Sequence, residues 1–237
     1  MKKFVAVIFL GIAFNHCFAE SKLESTKTDF SYRADAAKGA TLRKHIDDAY
    51  QLIKNKRLDE AMEKLRSTQA AYEKLFTKNL KQHSFSSLAE VNQFKKANLV
   101  NYEWEWIDWG YEQSLQLQAF IHSERRDFNN ALQILERARQ VAPISAQLDI
   151  ETAYTYGITR RSSEAYSLYV NAEKIARSYD SQRTFLAPAL RGKGTTLIEL
   201  DRLDEAETAF MESLKVDPNN KIAVSELKFI KNAKSSK

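Results

Sequence analysis

The sequence is short of the residues that interrupt regular structure: its 237 residues hold only 6 Gly and 3 Pro, well below average usages of roughly 7% and 5%. That scarcity argues against a turn-rich β-sandwich or barrel and for a chain built of helices. Cysteine occurs once, as Cys17, which leaves no internal disulfide framework and no Cys-based metal site. Beyond residue 19, histidine is limited to His45, His83 and His122, far apart and without ligand spacing, so no metal is expected. A strong excess of one charge sign is missing too. With 36 basic and 31 acidic residues the formal charge is +5, too small for a nucleic-acid-binding footprint, and the stretch carrying Lys74, Lys78, Lys81, Lys95 and Lys96 reads as a solvated helix face. No nucleophile elbow is present, and Arg191-Gly192-Lys193-Gly194-Thr195-Thr196 lacks the spacing of a phosphate loop. Neither catalysis nor a cofactor is expected.

One apolar run is present, at the start. Lys2 and Lys3 precede a stretch from Phe4 to Phe14 broken only by Gly11, and Cys17-Phe18-Ala19 offers small residues three and one before a cut. This reads as a secretory signal peptide over residues 1–19, cleaved after Ala19 and followed by a polar N-terminal arm over 20–41, mobile to about residue 38. As a helix the run would span about 17 Å against a hydrocarbon core of about 30 Å, too short for an anchor, and His16 argues against lipidation of Cys17. Export to the periplasm is the expectation, with a mature charge of +3, because two Lys and no acid leave with the signal. No integral membrane segment would remain.

The rest of the chain is periodic. Arg57-Leu58-Asp59-Glu60-Ala61 returns as Arg202-Leu203-Asp204-Glu205-Ala206, with Asp127-Phe128-Asn129-Asn130-Ala131 and Arg161-Ser162-Ser163-Glu164-Ala165 between them. Ala131 and Ala165 stand 34 residues apart, Ala165 and Ala206 41, and Ala61 and Ala131 70. Twelve positions before these alanines are Ala49, Ala119, Ala153 and Gly194; four positions after them are Leu65, Leu135, Tyr169 and Phe210; Pro143 and Pro218 close two copies. Small residues facing one another let two antiparallel helices approach closely, while the large ones fill the space between neighbouring units.

On these residues the chain resembles the tetratricopeptide repeat family. The resemblance implies an all-α fold, a right-handed superhelical array of antiparallel helix pairs. Repeats fall at about 42–75, 112–145, 146–179 and 187–220 within a single domain over 42–233, with a capping helix at 221–233 and a tail at 234–237. Asp180 to Leu186 is a longer inter-repeat connection. Residues 76–111 are one repeat long without the pattern and are either a degenerate repeat or an insertion; Ser87-Leu88-Ala89-Glu90 marks a helix start near Leu88.

That segment ends in Tyr102-Glu103-Trp104-Glu105-Trp106-Ile107-Asp108-Trp109-Gly110-Tyr111, which holds all three Trp. On a helix, Tyr102, Trp106 and Trp109 share one face and Trp104, Asp108 and Tyr111 another. One face then enters the core; the other is covered by the helix near 88–98 or serves as a stacking platform for a sugar ring or a peptide side chain. Glu105 and Asp108, one turn apart, read as exposed acids rather than a glycosidase pair.

The resemblance also implies that the first helix of each pair lines a concave surface that binds a peptide or a partner helix. Register places Arg43 and Tyr50, Gln113, Gln116 and Phe120, Gln147 and Tyr154, and Arg191 and Thr195 on it, with Trp104 at its edge. The Lys-and-Asn clamp that some members use for a C-terminal carboxylate is not matched, since Ile46, Gln116, Ile150 and Arg191 stand where Lys would recur. The expected function is a non-catalytic protein-protein interaction scaffold of the bacterial periplasm that assembles or regulates a cell-envelope complex. Two alternatives stand beside it: a cell-wall glycan- or peptide-binding protein or weak hydrolase using segment 102–111, and a toxin-neutralising, immunity-type partner.

Overall fold

The computed structural model describes residues 37–97 and 102–235. The expected signal peptide, the arm up to residue 36 and the end of the tail lie outside the described residues. The first part of the chain forms α1 (Arg43–Lys54), α2 (Leu58–Glu73), β1 (Lys81–Phe85), α3 (Leu88–Ala97) and β2 (Trp104–Asp108). Then follow α4 (Gly110–Glu124), α5 (Phe128–Val141), α6 (Ala146–Ile158), α7 (Ser162–Ser178), α8 (Leu186–Glu199), α9 (Leu203–Val216) and α10 (Lys221–Ser235). The fold is mostly helical, and four antiparallel pairs, α1/α2, α4/α5, α6/α7 and α8/α9, stack into one array closed by α10.

Each pair turns in the same way. Lys56, Arg126, Arg160 and Asp201 take left-handed backbone angles, with φ of 60, 61, 62 and 56°. The next N–H reaches five residues back, from Arg57 to Leu52, Asp127 to His122, Arg161 to Tyr156 and Arg202 to Leu197, each at 2.9 Å. This is a Schellman ending, which satisfies carbonyls that the helix leaves free. The second helix starts at once. Asp127 accepts a hydrogen bond from the Asn130 N–H, whereas Arg57, Arg161 and Arg202 pair with Glu60, Glu164 and Glu205 three residues on. The recurrent Arg-x-x-Glu therefore places an acid in the first turn, where the helix dipole favours it.

The paired small residues are buried, as their spacing predicts. Ala49, Ala61, Ala131, Ala153, Ala165 and Ala206 are fully buried and Ala119 nearly so. A Cβ on Gly194 would stand 2.8 Å from the Phe210 ring. Apolar clusters follow one another along the array instead of forming a single globule, as expected where each unit contacts mainly its neighbours.

Residues 76–111 are an insertion, and its form corrects the sequence reading. Instead of a helix, 104–108 is a strand paired in parallel with β1, Lys81 opposite Trp104 through Phe85 opposite Asp108, with α3 crossing between them. The alternation Trp-Glu-Trp-Ile-Asp has period two and strand-forming residue types; the partner strand at 81–85 decides between that period and the helical one. Trp104 and Trp106 now share one face, against Phe85, Val91 and Phe94, while Ile107 points the other way and packs with Tyr72.

The arm is corrected too. The Lys38 N–H donates to the Trp106 carbonyl at 3.1 Å and the Asp108 N–H to the Lys38 carbonyl at 3.0 Å, so residue 38 bridges the free edge of β2. Ala37 is buried. Gly39, at φ 94°, lies so close to Tyr72 that a Cβ would stand 2.4 Å from its ring.

Candidate functional site

The insertion leans toward the N-terminal ends of α4, α6 and α8 and encloses a polar cleft of about 260 Å³. One wall is Ser84, Phe85, Ser86 and Glu90; the other is Trp109, Glu112, Gln113 and Gln116 with Ile144, Ser145 and Gln147; Ser181, Gln182 and Phe185 of the inter-repeat connection close one end.

Glu90 fixes the first wall. Its own N–H donates to Ser87 Oγ at 3.3 Å, the helix start that the sequence marks, and its carboxylate accepts the Ser86 N–H at 2.8 Å. The same carboxylate accepts Ser181 Oγ at 2.5 Å and Gln182 Nε2 at 3.3 Å, joining the insertion to the connection before α8. Gln182 in turn accepts the Ala146 N–H at 3.1 Å.

The second wall is a glutamine relay. Gln113 Nε2 donates to Gln116 Oε1 at 3.3 Å; Gln116 Nε2 and Gln147 Nε2 both donate to Glu151 Oε1, at 2.5 and 3.0 Å. Burial pushes Glu151 up to about 7, against the pull of the two amides. Glu112 is pushed up to about 8, by desolvation first and then by the negative charges of Glu90 and Asp108, with a hydrogen bond from Ser84 acting the other way.

Of the residues expected in a groove, Gln113, Gln116 and Gln147 come together here. Tyr50 and Phe120, at 7% and 4% exposure, are buried and offer no surface, a correction that follows from how closely α4 packs on the first pair. Tyr154 is half-buried against the same cluster. Arg43 turns to Asp108, with its guanidinium 5.4 Å over the Trp109 ring. Arg191 donates to Asp217 at 3.1 Å, and Thr195 is exposed on α8, away from the cleft. Trp104 stands on the outer side of the insertion, edge-on to His83, Phe85 and Phe94, with Lys95 Nζ 5.4 Å from its ring.

Two acids that the sequence places on an exposed turn are buried. Asp108 is 0% and Glu105 8% exposed. Burial works to raise the pKa of Glu105, but hydrogen bonds from Lys38, Thr77 and Gln82 outweigh it and hold the carboxyl down at about 2. Nothing in the local sequence marks Glu112, Ser181 or Gln182 as site residues. Only Glu90 gave a signal, as a helix cap, and nothing local shows that it reaches across 91 residues to Ser181.

Comparison with known proteins agrees with the repeat fold. The sequence profile of the tetratricopeptide repeat family matches residues 188–220, the fourth pair. Solved structures of similar fold include a tetratricopeptide repeat protein from Parabacteroides merdae, with TM-score 0.54 and 15% identity over 82% of this chain and 62% of that one. MamA AMB-1 gives TM-score 0.51 and 13% identity over 82% and 83% of the two chains, and MamA MSR-1 gives 0.51 and 15% over 83% and 88%. No curated protein matches the chain. The fold is thus similar to that of tetratricopeptide-repeat arrays, here interrupted by a β-α-β insertion. Among the described residues no helix is long and apolar enough to cross a membrane, and no group of three or more His, Cys, Asp or Glu is placed to hold a metal.

Proposed function

We propose that the protein is a non-catalytic interaction scaffold of the periplasm that assembles or regulates a cell-envelope complex by holding a segment of a partner protein. Arrays of this kind present extended surfaces built by successive repeats. The observation that carries the reading is the convergence of Gln113, Gln116 and Gln147, from the first helices of two successive pairs, on one cleft. The insertion gives that cleft a second wall, so a bound segment would be gripped between repeat and insertion. Export is supported by Lys2-Lys3, the apolar run from Phe4 to Phe14 and the small residues at Cys17 and Ala19.

Two measurements test this. Mass spectrometry of the mature protein should find Glu20 at its start; an intact Met1 or a lipid on Cys17 would remove the compartment. Affinity capture from the cell's own envelope extract should recover a partner with the wild type and lose it with Gln113→Arg, which fills the cleft from a half-buried position. Full recovery by that variant would take the partner off this surface.

A second reading rests on the open hollow formed by Leu80, Leu88, Tyr102, Trp104 and Trp106 on the outer face of the insertion. Its aromatic rings suit a glycan or peptide side chain. Loss of capture by Trp104→Ala, with Gln113→Arg unaffected, would favour it.

A further inference from the structure

We propose that the outer end of the array, the groove between α9 and α10, is a docking surface for an acidic amphipathic helix of a partner protein, seated where the second helix of a fifth pair would lie. This surface is separate from the cleft and does not depend on it.

Register identifies the groove. Val224, Lys228 and Lys231 stand 34 residues after Leu190, Gly194 and Leu197 of α8, the same spacing that separates Ala131 from Ala165. In α8 these positions are closed: Leu190 and Leu197 are fully buried, and Gly194 lies against Phe210 of α9. Among the described residues no second helix follows α10, and Val224 is 54% exposed.

α9 supplies the other side. The Tyr156 hydroxyl, three residues after Ala153, donates to Glu136, five after Ala131, across the contact between α5 and α6. The corresponding places here are Lys231, three after Lys228, and Met211, five after Ala206. Met211 is 47% exposed. Lys234, near the end of α10, pairs with Asp204 and Glu207 at the start of α9, so the two helices lie side by side and antiparallel. The outer face of a terminal unit is ordinarily polar, yet among the described residues exposed large apolar side chains concentrate at this end, at Met211, Val216, Ile222, Val224 and Phe229.

Charge gives the sign of the occupant. From residue 221 to 237 the sequence holds five Lys and one acid, Glu226, which is two residues from both Val224 and Lys228 and so on the opposite side of the helix. Lys234 is spent on α9, whereas Lys228 and Lys231 have no ion-pair partner among the described residues. Exposed Lys215, one turn beyond Met211, adds a third cation at the rim. An apolar strip edged by cations fits a helix with an apolar face flanked by acids. Lys228 in the place of Gly194 holds that helix further off than in a repeat pair, with its ammonium at the rim.

Two other occupants fit less well. A helix lying on a lipid surface gathers its apolar residues on one face, but Val224 and Phe229 are about 140° apart around α10, with Lys221 and Lys228 between them. A second copy docked through α10 would bring the same lysines of both chains into one contact, which like charge opposes.

The probe is an acetylated and amidated synthetic peptide of residues 203–216, the second helix α9 itself, which carries four acids and one Lys. Its control is the same peptide with every acid replaced by the amide. The backbone resonances of Val224, Lys228 and Lys231 should shift saturably with the acidic peptide, less so as salt is added, and the amide peptide should bind about tenfold more weakly or worse. Val224→Glu and, independently, Lys231→Glu, both at exposed positions, should each weaken the acidic peptide by about tenfold or more while the spectrum stays folded. Phe229→Ser, on the other side of α10, should leave it bound. No saturable shift, equal binding of the amide peptide, or undiminished binding by both variants would overturn the assignment and leave the cleft's own test with Gln113→Arg untouched. Pelleting with phosphatidylglycerol vesicles that Lys231→Glu abolishes would give this face to a membrane, and a dimer in sedimentation that the same variant splits would give it to a second copy; either result removes the partner helix.

Discussion

Arg43 Nε donates to Asp108 Oδ2 at 2.9 Å, tying the first helix of the array to the end of β2 across 65 residues of chain. The carboxylate is fully buried and also accepts the Tyr72 hydroxyl at 3.1 Å and the Gly110 N–H at 3.0 Å. One acid therefore joins α1, α2, β2 and the start of α4. The insertion is clamped to the array at this end by Asp108 and at the other by Glu90, and the cleft lies between the two.

Removing the cation should leave a buried charge uncompensated. Arg43→Ala is expected to destabilise by about 3 kcal/mol, read as the shift of the urea midpoint at constant slope. A change under about 0.5 kcal/mol would mean that water replaces the guanidinium at no loss.

Close approach of the paired helices should make enlargement costly even where it adds apolar surface. Ala131→Leu and Ala165→Leu, both at fully buried alanines, should each destabilise by roughly 1 to 3 kcal/mol. Lys228→Ala, exposed on α10, should move the midpoint little. Equal effects in the two groups would contradict the packing.

The four turns store strain that can be relieved. Arg126 and Arg160 are exposed and hold φ of 61 and 62°, where a side chain costs roughly 1 kcal/mol and glycine is at ease. Arg126→Gly and Arg160→Gly should raise stability by about 0.5 to 1 kcal/mol, while Arg126→Ala should not. Thermal unfolding of the three variants decides it.

Two glutamates should shape the pH dependence in opposite directions. Glu105, held at about 2 against an ordinary 4.5, contributes stability that is present above pH 4.5 and lost as the pH falls toward 2, so Glu105→Gln should weaken the protein at pH 6 but not at pH 2. Glu112, raised to about 8, binds its proton more tightly folded than unfolded. Its contribution is full below pH 4.5 and disappears as the pH rises through 8. Glu112→Gln should stabilise at pH 9, by about 2 kcal/mol or more at ~1.4 kcal/mol per pH unit, and change little at pH 4. Parallel profiles for wild type and Glu112→Gln would place this carboxyl in water.

The repeat was legible because it is written locally. Ala49 with Ala61 and Gly194 with Phe210 are spaced by the helix period and by the length of one turn, so the register of each pair follows from residues a dozen or so positions apart. The insertion was not legible in the same way. Trp104 to Asp108 satisfies both a helical and an alternating pattern, and the strand exists because Lys81 to Phe85 and Lys38 supply its hydrogen-bond partners, 23 and 69 positions away in register. The sequence by itself determined the paired helices, their turns and their caps, all of which depend on neighbours within one repeat. Only the tertiary structure decided that Glu90, Glu112, Gln113 and Gln147 face one cleft, because that depends on where a β-α-β insertion docks, and docking is set by burial and hydrogen bonds between residues that no local period connects.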